Sequence, residues 1–87
     1  MDARIEAKRK RVLFRCRHMG TAENDFLFGG FCERYLDGLN EDQLDALETL
    51  LLESDNDLFN WVIEKEPVPQ DLDCDMMKML KAYRKDL

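Results

Sequence analysis

Apolar side chains recur every three or four residues along almost the whole chain, which is the spacing of an amphipathic α-helix. The pattern divides into five stretches, at 2–18, Thr21 to about Leu36, about 41–53, Asp55 or Asn56 onward, and about 70–86. Four Gly and two Pro among 87 residues disfavour a loop-rich β fold. The pattern therefore predicts an all-α fold, a compact bundle of about five short helices that forms a single domain over residues 1–87.

Residues suited to helix ends separate these stretches. Gly20 interrupts the pattern after the first helix, and Gly38 is suited to the C′ position that follows the second. Pro67 and Pro69 are expected to end the fourth helix and to form a short stiff connector. Polar residues suited to N-caps precede the second, third and fourth helices: Thr21, Asn40 with Gln43 three residues later, and the cluster 54–57.

Two glycines in the second helix and two aromatic residues in the fourth lead to predictions about packing. Gly29 and Gly30 lie inside the second helix, where each costs on the order of 1 kcal/mol relative to alanine. We expect the close approach of another helix or of a partner to offset that cost. Phe59 and Trp61 are expected in the core, because a bundle of this size needs its aromatic side chains inside.

Charge narrows the range of functions. The net charge of −6 makes a general nucleic-acid binder unfavourable. Residues 1–20 nevertheless carry seven basic and two acidic side chains, a net +5, while residues 21–87 carry six basic and seventeen acidic ones, a net −11. The basic run at 8–11 has an RNA-binding or lipid-binding interpretation, but it lacks interleaved aromatic residues, and a solvated helix face is the preferred interpretation.

The chain is poor in catalytic side chains. Its single His is His18, and Ser54 is already suited to an N-cap. The three cysteines lie far apart without a C-x-x-C pair, which disfavours a disulfide framework or a zinc site and favours reduced thiols in the cytosol. We expect Cys16 to fill the core and His18 to bind the last carbonyls of the first helix. No secretory leader, membrane insertion, metal site or enzymatic activity is expected.

The segment from Arg15 to Asp25 stands apart from the rest of the chain. It brings a cation-rich helix end, a flexible glycine and a carboxylate-rich helix start into eleven residues. Such a segment exposes backbone N–H groups, guanidinium groups and carboxylates together, which favours a polar docking site. An ordinary helix–turn–helix connection with an ordinary cap explains the same residues equally well.

The basic first helix is followed by four distinctive stretches: 20–25 (GTAEND), 26–31 (FLFGGF), 39–43 (LNEDQ) and 55–61 (DNDLFNW). In these stretches, and over nearly its whole length, the chain resembles the SdhE family of small succinate dehydrogenase assembly (flavinylation) factors. The family's signature is Arg-Gly-x-x-Glu, usually followed by x-Asp. Gly20, Glu23 and Asp25 match that signature, and Met19 stands in place of its arginine.

The resemblance implies a helper that binds the flavoprotein subunit of succinate dehydrogenase, and in some members that of fumarate reductase. It implies that covalent attachment of FAD to a His of the partner is promoted, with no cofactor held by the chain itself. The chain is then expected to be a cytoplasmic bacterial protein and a monomer when free. The alternative is a small helical interaction adaptor without flavinylation activity.

Site residues follow from the same resemblance. Gly20 is expected to permit close backbone approach, and Glu23 to contact the flavoprotein. Asp25 either supports Glu23 or stabilises the helix start. Arg17 and His18 are expected to add positive or hydrogen-bond-donating character, with Arg17 supplying a guanidinium near Met19.

Overall fold

Five α-helices and two 3₁₀ turns account for most of the chain. The computed structural model describes residues 3–87, in which no strand occurs. The all-α prediction is therefore confirmed. The helices are α1 (Ala3–Arg17), α2 (Ala22–Tyr35), α3 (Glu41–Leu50), α4 (Asp55–Val62) and α5 (Asp75–Lys85), with 3₁₀ turns at Leu36–Gly38 and Gln70–Leu72.

The predicted N-caps form as the sequence indicates. The Thr21 hydroxyl accepts the Asn24 N–H at 3.2 Å, and the Ser54 hydroxyl caps α4 in the same way. At α3, the Asn40 side chain accepts the Gln43 N–H at 2.8 Å while the Gln43 side chain accepts the Asn40 N–H at 2.9 Å. Each cap satisfies backbone donors that have no partner within their own helix, which places the helix starts where the sequence predicts them.

The C-terminal ends differ from the prediction. Gly38 does not take a left-handed conformation and instead ends the 3₁₀ turn that extends α2. Helix α4 ends at Val62, well before the prolines, because Glu64 takes a positive φ of 62°. The N–H groups of Lys65 and Glu66 then donate to the Asn60 carbonyl, at 2.8 and 3.2 Å. These hydrogen bonds satisfy a carbonyl at the end of α4, so the helix stops without help from proline.

The last helix is shorter than predicted. It begins at Asp75, because Asp73 has a ψ of 78° and separates the 3₁₀ turn from α5. Leu72 therefore lies in the turn and does not join the apolar stripe of α5. Met77, which the pattern did not place on that stripe, is fully buried. The misplacement followed from extending one helical register across a break that the sequence marks only weakly.

Side chains from all five helices form one core. Helix α1 packs against α2 and α3, and α5 packs against α2, α3 and α4. Cys16 and Trp61 are buried, as predicted, whereas Phe59 is half-buried at the edge of the core. The largest side chains with almost no exposure are Phe28, Phe31, Leu44, Leu47, Leu50, Leu58, Met77 and Leu80.

Two of the four cations in the basic run on α1 face carboxylates of α3. Lys8 forms ion pairs with Glu41 and Asp45, and Arg11 forms two hydrogen bonds with Glu48, at 2.6 and 3.0 Å. The hydrogen bond from Arg11 lowers the pKa of the Glu48 carboxyl below its usual range.

Arg9 also forms hydrogen bonds within the fold. It donates to the carbonyls of Leu36 and Leu39, at 2.7 and 2.6 Å. The run is therefore not the fully solvated face that was expected, and its charge is largely neutralised within the fold. That neutralisation weakens the RNA-binding and lipid-binding interpretation, which needs free cations.

One of the two glycines in α2 is explained by close approach of α5. A Cβ atom on Gly30 would lie 2.3 Å from the Tyr83 hydroxyl oxygen, far inside van der Waals contact. Tyr83 is held by edge-on packing against Phe31 and Tyr35, with ring centroids 5.8 and 6.1 Å apart. A Cβ on Gly29 would meet only the Arg17 Cγ, at an ordinary 3.7 Å. The expected close approach is thus confirmed for Gly30 but not for Gly29.

The Gly30–Tyr83 contact predicts that Gly30→Ala destabilises the native chain but stabilises a chain that carries Tyr83→Phe. Gly30→Ala is expected to lower the free energy of unfolding by about 1 kcal/mol, because displacing packed Tyr83 costs more than the gain in helix propensity. In a Tyr83→Phe background the same change is expected to raise it by about 0.5 kcal/mol, since the obstructing hydroxyl is gone. Denaturant unfolding of the four proteins measures this coupling. Equal effects in both backgrounds would mean that the hydroxyl does not set the constraint.

Candidate functional site

The connection between α1 and α2, residues 17–25, is here called the corner. Gly20 sits at its centre with a φ of 94°, in the left-handed region that favours glycine. A Cβ built on Gly20 would meet no atom within 4 Å. The requirement for glycine therefore comes from the backbone conformation, while the open space above it leaves room for another chain to approach.

A hydrogen bond inside the corner holds this conformation. The Asp25 carboxylate accepts the Met19 N–H at 2.8 Å. Asp25 thus acts within the corner and stabilises the start of α2, as one of its two predicted roles requires. The Met19 side chain is only 3% exposed and packs into the core. The corner consequently presents no side chain to solvent at this position, where the family signature has arginine.

His18 extends the end of α1. Its Nδ1 lies 2.8 Å from the Phe14 carbonyl oxygen, so Nδ1–H donates to that carbonyl and the predicted helix-end role is confirmed. Its ring stacks on Phe14, with centroids 4.2 Å apart and planes 20° apart. Because the carbonyl only accepts, Nε2 is the ring nitrogen left to accept a hydrogen bond from a partner.

Arg17 and Glu23 face different grooves. Arg17 lines a groove of about 800 Å³ together with Asp25. Glu23 lines two smaller grooves of about 240 and 280 Å³, and Phe59 lines both of these. The ring of Phe26 is 70% exposed and lies between the Arg17 groove and one of the Glu23 grooves, since it lines both. The structure therefore brings Arg17 together with Asp25, but it places Glu23 on the other side of Phe26.

The Glu23 carboxylate is free in the part of the chain described. Glu23 is exposed, and no ion pair is formed by it within residues 3–87. By contrast, the neighbouring Asp25 carboxylate is occupied by the Met19 N–H. Glu23 is thus the corner residue best placed to pair with a positive group on another protein.

Sequence reasoning missed the residue that anchors the corner. Asn24 is 2% exposed, and its Nδ2 donates to the Asp55 carbonyl oxygen at 3.0 Å. Arg15 also reaches this point, with an ion pair to the Asp55 carboxylate at 2.8 Å. The start of α4 therefore holds both α1 and α2. The available signal was spacing, since Asn24 precedes core residues Leu27 and Phe28 by three and four positions.

The Cys16 thiol is buried beside the thiol of Cys32. A hydrogen bond with the Cys32 thiol, together with burial, raises the pKa of the Cys16 thiol, which keeps it protonated and unreactive. Across residues 3–87, no three His, Cys, Asp or Glu side chains come together as a metal-binding group. None of the helices described here has both the length and the apolar character needed to cross a bilayer.

Comparison of the sequence with known proteins places the chain in a family. Residues 10–84 match the family model described as "Flavinator of succinate dehydrogenase". A mitochondrial succinate dehydrogenase assembly factor 2 from Dictyostelium discoideum is 34% identical over 82 residues, which cover 94% of this chain and 58% of that protein. Mitochondrial assembly factors from Drosophila ananassae (2-A) and Danio rerio (2) are 32% and 33% identical, covering 98% and 94% of this chain and 56% and 53% of theirs.

These relatives correct one expectation from the sequence. The prediction of a cytoplasmic bacterial protein is wrong, because the similar proteins are named as mitochondrial and come from eukaryotes. Reduced thiols, on which that prediction drew, are compatible with more than one compartment, so they could not identify it.

Family membership rests on the match to the family model and on the similarity to curated relatives. The chain spans little more than half the length of the curated relatives it matches. The match nevertheless includes the corner, the whole of α2, α3 and α4, and nearly all of α5. The chain therefore belongs to the family of succinate dehydrogenase flavinators, whose curated members are named succinate dehydrogenase assembly factors.

Proposed function

We propose that the chain binds the flavoprotein subunit of succinate dehydrogenase through the corner and promotes covalent attachment of FAD to that subunit. The observation that carries the proposal is the exposed and unpaired Glu23 carboxylate beside the left-handed Gly20. Both residues stand in register with the signature of the family to which the chain belongs.

Each corner residue has a distinct part in this proposal. Glu23 forms an ion pair with a cation on the flavoprotein, and Gly20 lets the backbone of the partner approach. His18 offers Nε2 as an acceptor, while Arg17 supplies the guanidinium that position 19 lacks. Asp25 is a positioning residue, because its carboxylate holds the Met19 N–H and keeps the corner in shape.

The chemistry takes place on the partner. The corner contains no activated nucleophile, and the buried Cys16 thiol stays protonated. We therefore assign the chain a positioning role, in which docking favours a conformation that brings the flavoprotein's own His to the bound FAD. Holding two reacting groups in the right geometry can account for a large part of a rate enhancement. The chain itself holds no cofactor in this scheme.

Co-expression with the flavoprotein subunit tests the proposal. Flavin fluorescence in the denatured flavoprotein band is expected to rise when the chain is present. Glu23→Ala is expected to lower that gain at least fivefold, because the carboxylate that pairs with the partner is lost. The matched control is Glu66→Ala, another exposed glutamate, which is expected to retain the full gain. Circular dichroism verifies that both variants keep the helical fold.

The same experiment separates the proposal from its alternative. If covalent flavin is equal with and without the chain while the two proteins still bind, the chain is an interaction adaptor without flavinylation activity. If Glu23→Ala and Glu66→Ala behave alike, the docking role assigned to Glu23 is wrong. Replacing the partner with the flavoprotein subunit of fumarate reductase tests whether that protein is also a substrate.

A further inference from the structure

The stretch 55–61, which forms almost all of α4, has no part in the proposed function. Packing accounts for Leu58 and Trp61, because both are buried in the core. Asn56 is exposed, however, and Phe59 is only half-buried at the edge of the core. These two residues are three positions apart and therefore lie on the same face of α4. The core does not explain why this face carries an amide and a partly exposed aromatic ring.

This face of α4 forms a groove with the start of α2. The α2–α4 groove has a volume of about 240 Å³ and is lined by Thr21, Glu23, Asn24, Asn56 and Phe59. Pockets that hold drug-sized ligands have volumes of about 300–1,000 Å³, so this groove suits a single long side chain of another protein. Glu23, which the proposed function places in contact with the flavoprotein, thus shares its groove with two residues of α4.

The α2–α4 groove is held in shape by the fold itself. Asn24 lines the groove and is buried, and its Nδ2 donates to the Asp55 carbonyl oxygen at 3.0 Å. This hydrogen bond fixes the start of α2 against the start of α4. The Thr21 and Ser54 hydroxyls cap the two helices. A groove that is formed before binding loses little conformational freedom when a partner occupies it, which favours affinity.

The charge of the α2–α4 groove is negative. Glu23 is the one charged residue in its lining, and it makes no ion pair within residues 3–87. The first turn of α4 adds Asp57, which is exposed and is also without an ion pair in that range, and Asp55, which pairs with Arg15. The two unpaired carboxylates outweigh the partial positive charge, roughly half a unit, of each helix N-terminus. Charge complementarity therefore favours a cationic occupant.

The other lining residues favour arginine over lysine. The face of the Phe59 ring attracts a cation, and a planar guanidinium can also stack on it. The Glu23 carboxylate can accept two parallel N–H groups of one guanidinium, and the Asn56 side-chain oxygen can accept another. The ammonium group of lysine is more strongly hydrated and has no plane with which to stack. A carboxylate, an amide and an aromatic ring in one groove thus match the donors and the plane of a guanidinium.

We infer that the α2–α4 groove binds an arginine side chain of the flavoprotein, whose guanidinium pairs with Glu23, stacks on Phe59 and donates to Asn56. This inference rests on the proposed function. It identifies the cation that Glu23 contacts, and it extends the docking surface from the corner to α4.

Titration calorimetry of the chain with the purified flavoprotein subunit tests the inference. Phe59→Leu keeps an apolar side chain but removes the ring, and it is expected to weaken binding about fivefold. Asn56→Ala is expected to weaken binding about threefold, because one acceptor for the guanidinium is lost. The matched controls are Tyr35→Leu, at another half-buried aromatic residue on the edge of the core, and Asn60→Ala, on α4 outside the groove. Each control is expected to alter the affinity less than twofold, and circular dichroism verifies the fold of all four variants.

A double-mutant cycle distinguishes one shared cation from two separate contacts. In a Glu23→Gln background, Phe59→Leu is expected to weaken binding less than twofold, because the ion pair that holds the guanidinium over the ring is already lost. A purely structural role of Phe59 would weaken binding about fivefold in both backgrounds, and that result would overturn the inference.

Chemical modification of the flavoprotein tests the identity of the cation. Phenylglyoxal modifies accessible arginine side chains, and mass spectrometry locates the modified residues. The native chain at saturating concentration is expected to protect one arginine of the flavoprotein, and Glu23→Gln at the same concentration is expected to protect it less. If the native chain binds without protecting any arginine, the groove does not hold a guanidinium and the inference is wrong.

The outcomes separate this inference from the proposed function. If the native chain binds the flavoprotein and Glu23→Ala lowers flavin attachment, but Phe59→Leu and Asn56→Ala match their controls, only the inference about the α2–α4 groove is overturned. If the native chain does not bind the flavoprotein, both the proposed function and the inference are wrong.

Discussion

Phe28→Ala is expected to remove about 4 kcal/mol from the free energy of unfolding. Phe28 has no exposed surface, and truncating a buried phenylalanine typically costs 3–5 kcal/mol through lost burial and the cavity left behind. A chain of 87 residues has a total stability of about 4 to 13 kcal/mol. The loss is therefore between about a third of the total stability and all of it. Equilibrium denaturation in urea, followed by circular dichroism, measures the change.

The control for this variant lies two residues away on the same helix. Phe26→Ala makes the same chemical change, but the Phe26 ring is 70% exposed. We expect it to change the free energy of unfolding by less than about 0.5 kcal/mol, the usual size for a surface substitution. A loss below about 1.5 kcal/mol in Phe28→Ala, or similar losses in both variants, would contradict the packing of α2 described above.

Asn24→Ala is expected to cost about 2 kcal/mol, although asparagine is polar and alanine is the better helix former. The Asn24 side chain is buried and donates to the Asp55 carbonyl oxygen at 3.0 Å. Alanine removes that hydrogen bond and leaves a cavity where the amide was. The variant thereby breaks the link between the start of α2 and the start of α4. Thermal and urea unfolding both measure the loss.

Asn56→Ala is the matched control for that prediction. Asn56 is exposed on the first turn of α4, so its replacement is expected to cost less than about 0.5 kcal/mol. If the two asparagine variants prove equally stable, Asn24 does not anchor the corner.

The variants Asn24→Ala and Glu23→Ala are expected to differ in opposite ways in stability and in docking. Asn24→Ala is expected to lower stability more than Glu23→Ala does, because Glu23 is exposed and makes no ion pair within residues 3–87. In the flavin assay the order is expected to reverse, since Glu23 is the residue that contacts the partner in our proposal. Adjacent residues of one helix turn would then have opposite roles, one directed to the core and the other to the partner.

The helix starts were accessible to prediction because capping is local. Thr21, Asn40 and Ser54 each bond a backbone N–H three residues along the chain, so their effect is written into a few consecutive positions. The C-terminal ends were less accessible. The end of α4 depends on the left-handed Glu64 and on hydrogen bonds to the Asn60 carbonyl, and neither is marked by glycine or proline.

The resemblance supplied the residues of the candidate site, and only the structure supplied its geometry. The resemblance identified Gly20, Glu23 and Asp25 as neighbours of one another along the chain. It could not reveal that the Asp25 carboxylate is occupied by the Met19 N–H, or that Arg17 and Glu23 face different grooves. Side-chain direction at a turn depends on a backbone conformation that residue identity alone does not specify.

The sequence by itself determined the fold class, most of the helix positions and the family, because helical periodicity, N-caps and a short motif are properties of consecutive residues. Only the tertiary structure decided which charges remain free. Lys8 and Arg11 lie in the same basic first helix as Arg17, yet α3 neutralises the first two and leaves the third exposed in a groove. That difference arises from how helices distant in sequence pack, since an ion pair depends on the distance between side chains in space.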